Sequence, residues 1–372
     1  MHEERNKANP GRAVEDIGFQ AIRQQALHRR GLEGPVQECQ PLPPLAHHRM
    51  LDRERAGSLS IHVGHHDRVD IMTVTGPVGP EDLGVVLPHE HVFIDLVREY
   101  RGNGLLNDEH LARAELAALL EAGGGTLVDL TLDEIGRDPA ALRRVSEATG
   151  VQIVMGCGHY RDPYLDRGWF DRMSADAIAD EITRDITEGV RDTGVRAGII
   201  GEIGADRRYI SAAEERSLRA AGRAHRRTGL TISTHAARWP VGLEQLALLA
   251  DEGVDPRRVI VGHADSVPIP EYHLALAGQG CYVSFDGIGT GSRFDLHQAA
   301  GYVLNLVQAG FGDQILLSHD VCLRDHLRAH GGCGYGFLIT EFLPMLAAAG
   351  LDETQVRRFV TENPRAALTG EA

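Results

Sequence analysis

Lysine is almost missing from this sequence. Lys7 is the only one, and every other fixed positive charge is arginine. No lysine can therefore take part in chemistry beyond residue 7. Long apolar runs are missing too: none approaches the ~18 residues of a membrane span. The N-terminus, Met1-His-Glu-Glu-Arg-Asn-Lys7, lacks the apolar core of a signal peptide. Cysteine is scarce. Cys39, Cys157, Cys281, Cys322 and Cys333 are an odd number with no CxxC spacing, which suits a reducing cytoplasm better than a disulfide framework. No Lys/Arg cluster sits beside aromatics and the formal net charge is −15, which argues against nucleic acid as a partner.

What is present is a repeating pattern. Residues 1–71 show no sustained periodicity and read as a poorly structured extension, with short helical stretches near 14–29 and 45–56 and a breaker at Pro41-Leu-Pro-Pro44. Met72 would serve as a start in its own right. From Thr73 apolar runs alternate with helical stretches, beginning with Gly84–Pro88 then Leu111–Ala122 and closing with Gln314–His319 then Gly336–Ala349. Eight such units fit in roughly 270 residues, the length of a (β/α)8 barrel, with a last helix over Glu353–Val360 that ends at Asn363-Pro364. The apolar runs are nearly continuous, as expected of parallel strands covered on both faces. The pattern predicts a (β/α)8 TIM barrel over 72–372. A doubly wound sheet would carry a glycine-rich phosphate loop after an early strand, whereas Gly123-Gly-Gly125 precedes its strand.

In such a barrel the site lies at the C-terminal ends of the strands. Those ends read His89 and His91 on the first strand, Glu202 on the fourth, His235 on the fifth, His263 on the sixth and Asp320 on the eighth. A single histidine at a strand end is ordinarily a hydrogen-bonded core residue. The set, four histidines and two carboxylates, suits a pair of zinc-like divalent ions. Glu202 is the natural bridging anion, and a hydroxide shared by the ions would be acidified by both. Asp320 reads as oxygen ligand and proton acceptor, with His319 behind it. His159, His225, His273, His326 and His330 read as loop or helix-surface residues. Arg207, Arg208 and Arg324 lie on loops at the same rim and could bind an anionic group.

Ordered motifs extend the pattern: Val86-Leu-Pro-His-Glu-His-Val92, Gly156-Cys-Gly-His-Tyr-Arg-Asp162, Arg196-Ala-Gly-Ile-Ile200, Ser233-Thr-His235, Val261-Gly-His263, Leu317-Ser-His-Asp320 and Glu362-Asn-Pro364. Over roughly 75–368 the chain resembles the phosphotriesterase family of the amidohydrolase superfamily. The resemblance implies a binuclear centre, with zinc the expected metal. His89, His91 and Asp320 would hold the buried ion, and His235 and His263 the exposed one. Tyr160 matches a tyrosine beside the metals in related lactonases and joins Asp320 as a candidate catalytic residue. Better-known members bridge their metals with a carboxylated lysine on the fourth strand. Here Ile200-Gly-Glu-Ile-Gly204 stands in its place, as in the phosphotriesterase-homology branch, where glutamate bridges. Ser266 and Gly287 occupy the positions of the triesterases' relay aspartate and histidine, which argues against efficient phosphotriester hydrolysis.

The resulting expectation is a binuclear hydrolase of a small lactone, carboxylic ester or phosphotriester. Hydrolysis of an N-acyl amide and a non-catalytic, metal-stabilised binding protein are the alternatives. A homodimer is compatible with the sequence.

Overall fold

The computed structural model describes residues 69–290 and 296–371. The expected extension and its two helical stretches lie outside these residues, except at the boundary. Ile71 is buried and opens an antiparallel hairpin, Ile71–Thr73 with Gly76–Val78, so regular structure begins one residue before Met72.

The centre is an eight-stranded sheet. Its strands are β1 (Val86–Glu90), β2 (Thr126–Asp129), β3 (Gln152–Cys157), β4 (Ile199–Ala205), β5 (Ile232–Ala236), β6 (Val259–Gly262), β7 (Tyr282–Phe285) and β8 (Ile315–Leu317). Each pairs in parallel with the next in the chain. The helices that cover them are α1 (Glu109–Glu121), α2 (Pro139–Thr149), α3 (Ala175–Thr187), α4 (Ala212–Thr228), α5 (Gly242–Asp251), α6 (Pro270–Gly278) and α7 (Leu296–Gln308). A π turn over Leu338–Phe342 runs into α8 (Leu343–Ala348), followed by α9 (Glu353–Arg358) and α10 (Glu362–Thr369). This is the predicted (β/α)8 barrel. Helix starts follow local chemistry: Asp108 and Asp138 cap α1 and α2, and Ser211 with Glu214 forms a capping box on α4. One expectation at the C-terminus fails. The chain does not end its helices at Asn363-Pro364; Pro364 is accommodated in the first turn of α10, where its missing N–H costs nothing.

Two strands depart from simple alternation, and both carry site residues. Val86 belongs to the smaller apolar cluster, with Val128, Val154, Ile260 and Leu316, whereas Leu87 belongs to the larger one beneath the helices. Alternation from Val86 would turn Glu90 the same way as Val86 and His89 and His91 the other way. A register shift between Leu87 and Glu90 reverses that assignment. A second shift, between Ile200 and Ile203, does the same for Glu202 on β4.

The first and last strands are joined by side chains. Glu90, fully buried, accepts hydrogen bonds from Ser318 Oγ (2.7 Å), His319 N (3.0 Å), His319 Nδ1 (2.7 Å) and Val321 N (3.0 Å). His319 in turn accepts the Leu338 N–H at Nε2 (2.9 Å), which places its proton on Nδ1. Asp320 N–H adds a bond to His89 O at 3.2 Å. Glutamine at position 90 has one acceptor oxygen and would turn an amide toward N–H groups. Glu90→Gln is expected to lower stability by ~3 kcal/mol, seen as a fall in denaturation midpoint. An unchanged midpoint would show that the closure does not depend on this carboxylate.

Candidate metal centre

The side chains of His89, His91, Glu202, His235, His263 and Asp320 converge at the C-terminal mouth of the barrel. Among the described residues, three ligand groups lie close enough to hold an ion: His89, His91 and Asp320; Glu202, His235 and His263; and His89, His263 and Asp286. Glu202 faces both sides of the cluster. Its Oε1 is 3.6 Å from His91 Nε2, while Oε2 is 2.9 Å from His235 Nδ1, 3.2 Å from His263 Nε2 and 3.5 Å from His89 Nε2. Asp320 Oδ1 is 3.2 Å from His91 Nε2 and 3.8 Å from His89 Nε2. These separations resemble the ~3.4 Å edge of a tetrahedron of ligands at ~2.1 Å from zinc.

The imidazoles are oriented from behind. Asp286, one residue past β7 and fully buried, accepts Nδ1–H from both His89 (2.9 Å) and His263 (2.8 Å). It also takes the His263 backbone N–H, at 3.0 and 3.1 Å to its two oxygens. His91 Nδ1 lies 2.8 Å from Thr131 Oγ1. The bonds to Asp286 leave the Nε2 lone pairs of His89 and His263 for the centre; His91 also turns Nε2 inward, whereas His235 presents Nδ1. His89 Nε2 is buried without any hydrogen-bond partner. A buried acceptor left bare in this way fits an ion between these side chains.

The charge balance agrees. Burial works to lower the pKa of His89, but Asp286 and Glu202 outweigh it and push the imidazole up to about 9. His263 is likewise raised well above its usual value, against burial, chiefly by Asp286. Burial would raise the Glu202 and Asp286 carboxyls, yet the facing imidazoles hold both far below the usual range. The buried carboxylates thus demand positive charge, which protons or divalent ions can supply. His235 goes the other way, lowered by burial.

A cavity of 1390 Å³ opens over the cluster. Tyr160 is in its wall, with its hydroxyl 3.4 Å from His235 Nδ1. The rim arginines differ from the expected ones. Arg207 is beside Asp162 and Tyr209, Arg208 stacks on Trp239 at 4.3 Å, and Arg324 lies by a separate small pocket. Arg161, Arg238 and Arg328 line the main cavity instead. His273 is not on a helix surface but buried against Phe285 and Tyr302; His159 is in a loop, as expected, and is buried there 2.6 Å from Glu134. Sequence reading passed over Glu90, Asp286 and Thr131. The placement of Asp286 directly after an apolar strand was the available signal for that one.

Fold and site define a barrel protein with a histidine–carboxylate centre able to hold metal. The model of the phosphotriesterase family matches residues 69–368, and the chain belongs to that family. It is 35% identical over 282 residues to a phosphotriesterase homology protein of Escherichia coli, spanning 76% of this chain and 96% of that one. It is 34% identical over 278 residues to an N-acetyltaurine hydrolase of Dictyostelium discoideum, spanning 71% and 74%. A solved lactonase from Listeria monocytogenes superposes with a TM-score of 0.76 at 27% identity, covering 82% of this chain and 100% of that one.

Proposed function

We propose that this chain is a zinc-dependent, binuclear hydrolase that cleaves a lactone or carboxylic ester. The observation that carries the reading is Glu202, one buried carboxylate within 3.6 Å of all four imidazoles, Oε1 toward His91 and Oε2 toward His89, His235 and His263. His89, His91 and Asp320 would hold one ion, His235 and His263 the other, with Glu202 shared. Bound there, the ions would supply an acidified water and a Lewis acid for the oxygen under attack. The imidazole and carboxylate donors suit zinc.

The chain's own groups handle the protons. Asp320 is the proton acceptor, because its side chain is 25% exposed toward the cavity while those of Glu202 and Asp286 are 2% and 0%. Burial, followed by the nearby Glu202 charge, pushes the Tyr160 phenol well above its usual value. Tyr160 is therefore a neutral donor, placed to hydrogen-bond a substrate oxygen. The two departures from the triesterase pattern serve the backbone. Ser266 Oγ donates to His263 O and accepts Arg238 N–H, both at 2.7 Å, and Gly287 N–H bonds Asp265 at 2.9 Å. Neither position offers a proton relay.

The likeness to an N-acetyltaurine hydrolase supports amide hydrolysis as a second reading. A panel of lactones, carboxylic esters, amides and phosphotriesters, run on protein of measured metal content, tests both. The best carbonyl substrate is expected to exceed a paraoxon-like triester in kcat/KM by at least ~10-fold. Triesters ahead of every carbonyl substrate by orders of magnitude would overturn the ester reading, and an amide in first place would favour the second.

A further inference from the structure

Arg161 follows Tyr160 in the loop after β3, and it is an arginine in an unusual place. Its side chain lines the cavity yet the residue is 4% exposed. Burying a guanidinium is costly unless it is paired. Here the partners come from two other loops. Nη1 donates to Asp206 at 2.7 Å, one residue past β4, and Nη2 to Glu99 at 2.6 Å, in a short helix (Val97–Tyr100) between β1 and α1. Gly204 makes room for the stem, since a Cβ there would lie 2.9 Å from Arg161 Cβ. The guanidinium carbon is 5.2 Å from the Tyr160 ring and 5.0 Å from the Tyr164 ring. The Tyr160 ring also meets His235 edge-on at 5.1 Å, so it is held between Arg161 and a residue of the centre.

Each terminal nitrogen of Arg161 donates to a carboxylate, and two carboxylates, Asp206 and Glu99, already outweigh its single positive charge, so capture of a substrate anion is not its task. We propose that Arg161 is a positioning residue. It fixes the Tyr160 hydroxyl beside His235 and locks the loops after β1, β3 and β4 into one frame. The catalytic part of this inference rests on the role proposed for Tyr160; the locking of the loops does not.

The test compares wild type, Arg161→Met, Arg161→Lys, Tyr160→Phe and the double variant Tyr160→Phe/Arg161→Met, each as metal-loaded full chain on the best panel substrate. Arg161→Met is expected to lower kcat ~10-fold or more with KM changed less than ~3-fold, because a misplaced hydroxyl acts on the reacting state. In the Tyr160→Phe background the same change should cost less than ~2-fold, since the group it positions is gone. Arg161→Lys, able to pair but not to fork, should fall between. Hydrogen exchange gives a readout apart from turnover. The amides of Tyr164, bonded to Arg161 O at 3.0 Å, and Tyr100, bonded to Leu96 O at 2.9 Å, should exchange faster together in Arg161→Met, with the barrel strands unchanged.

Additive kinetic losses, or unchanged exchange in these loops, would overturn the proposal. If Arg161→Met does not fold, the neutralised variant Arg161→Met/Glu99→Gln/Asp206→Asn carries the same comparison, because it leaves no carboxylate buried without a cation. A wild type inactive on the whole panel would sink the hydrolase reading, and the exchange result would still decide whether Arg161 locks the loops.

Discussion

Glu202→Gln is expected to emerge from purification with one ion or none, and with kcat/KM lower by ~10³-fold or more. The fold should be retained, because Ile200 and Ile203 around it are buried in the core and keep their packing. A pair of divalent ions held here would need an anion from the fourth strand. Four imidazoles and Asp320 would leave most of the charge of two divalent ions uncompensated. Lys7 is the only lysine, so a carboxylated lysine cannot be the bridge. Glu202 sits at 1% exposure in the middle of the cluster, within reach of His89, His91, His235 and His263. The preceding residue must be glycine for this approach. Gly201 has φ +138°, and a Cβ there would fall 2.2 Å from the Ser233 carbonyl oxygen. Glutamine keeps the shape of the side chain but removes the charge and one strong acceptor. Metal analysis and turnover on the best panel substrate check the outcome. Added bicarbonate should leave the wild type unchanged. Two tightly held ions and near-normal turnover in Glu202→Gln would mean that another carboxylate bridges.

Asp286→Asn is expected to weaken metal binding by ~10- to 100-fold, with activity falling in step. Asp286 touches the cavity only from behind the imidazoles, and its effect is on their tautomers. As a carboxylate it accepts Nδ1–H from His89 and His263 at once. Asparagine can accept from only one of them, and its NH2 would face the other Nδ1. That imidazole would move its proton to Nε2 and turn a donor hydrogen toward the metal position. Competition with a chelator of known affinity measures the change. The pH dependence has a definite sign. The folded-state pKa of Asp286 lies far below its unfolded value of about 4, so its contribution to stability is fully present above that value. It is lost progressively as the pH falls below that value toward the folded one. Metal-free wild type and Asp286→Asn should therefore differ in stability at neutral pH and converge in strong acid. Equal metal affinity in the two proteins would show that the imidazoles keep their tautomers without this carboxylate.

The barrel and the six converging side chains were legible in the chain itself. Helix and strand periods are one-dimensional, and the C-terminal end of each parallel strand is set by where its apolar run stops. His235 closing Ile232–Ala236 and His263 after Val259–Gly262 could be read in that way. The strand before His91 could not be read fully. Its alternation says that His89 and His91 share a face, but only the register shift at Leu87–Glu90 decides which face points into the barrel.

The single lysine at position 7, the ordered histidine motifs and the eight alternating units were therefore enough to determine the fold, the family and the set of metal-binding candidates. The second layer was decided by tertiary structure alone. Asp286 meets His89 across 197 residues of chain, and Glu90 meets His319 across 229. Arg161, not the expected loop arginines, turned out to be the buried cation of the cavity wall. The physical reason is common to all three. A buried charge or hydrogen-bonding group is tolerated only where partners arrive from other strands and loops, and those arrivals depend on barrel closure and register, which no local period records.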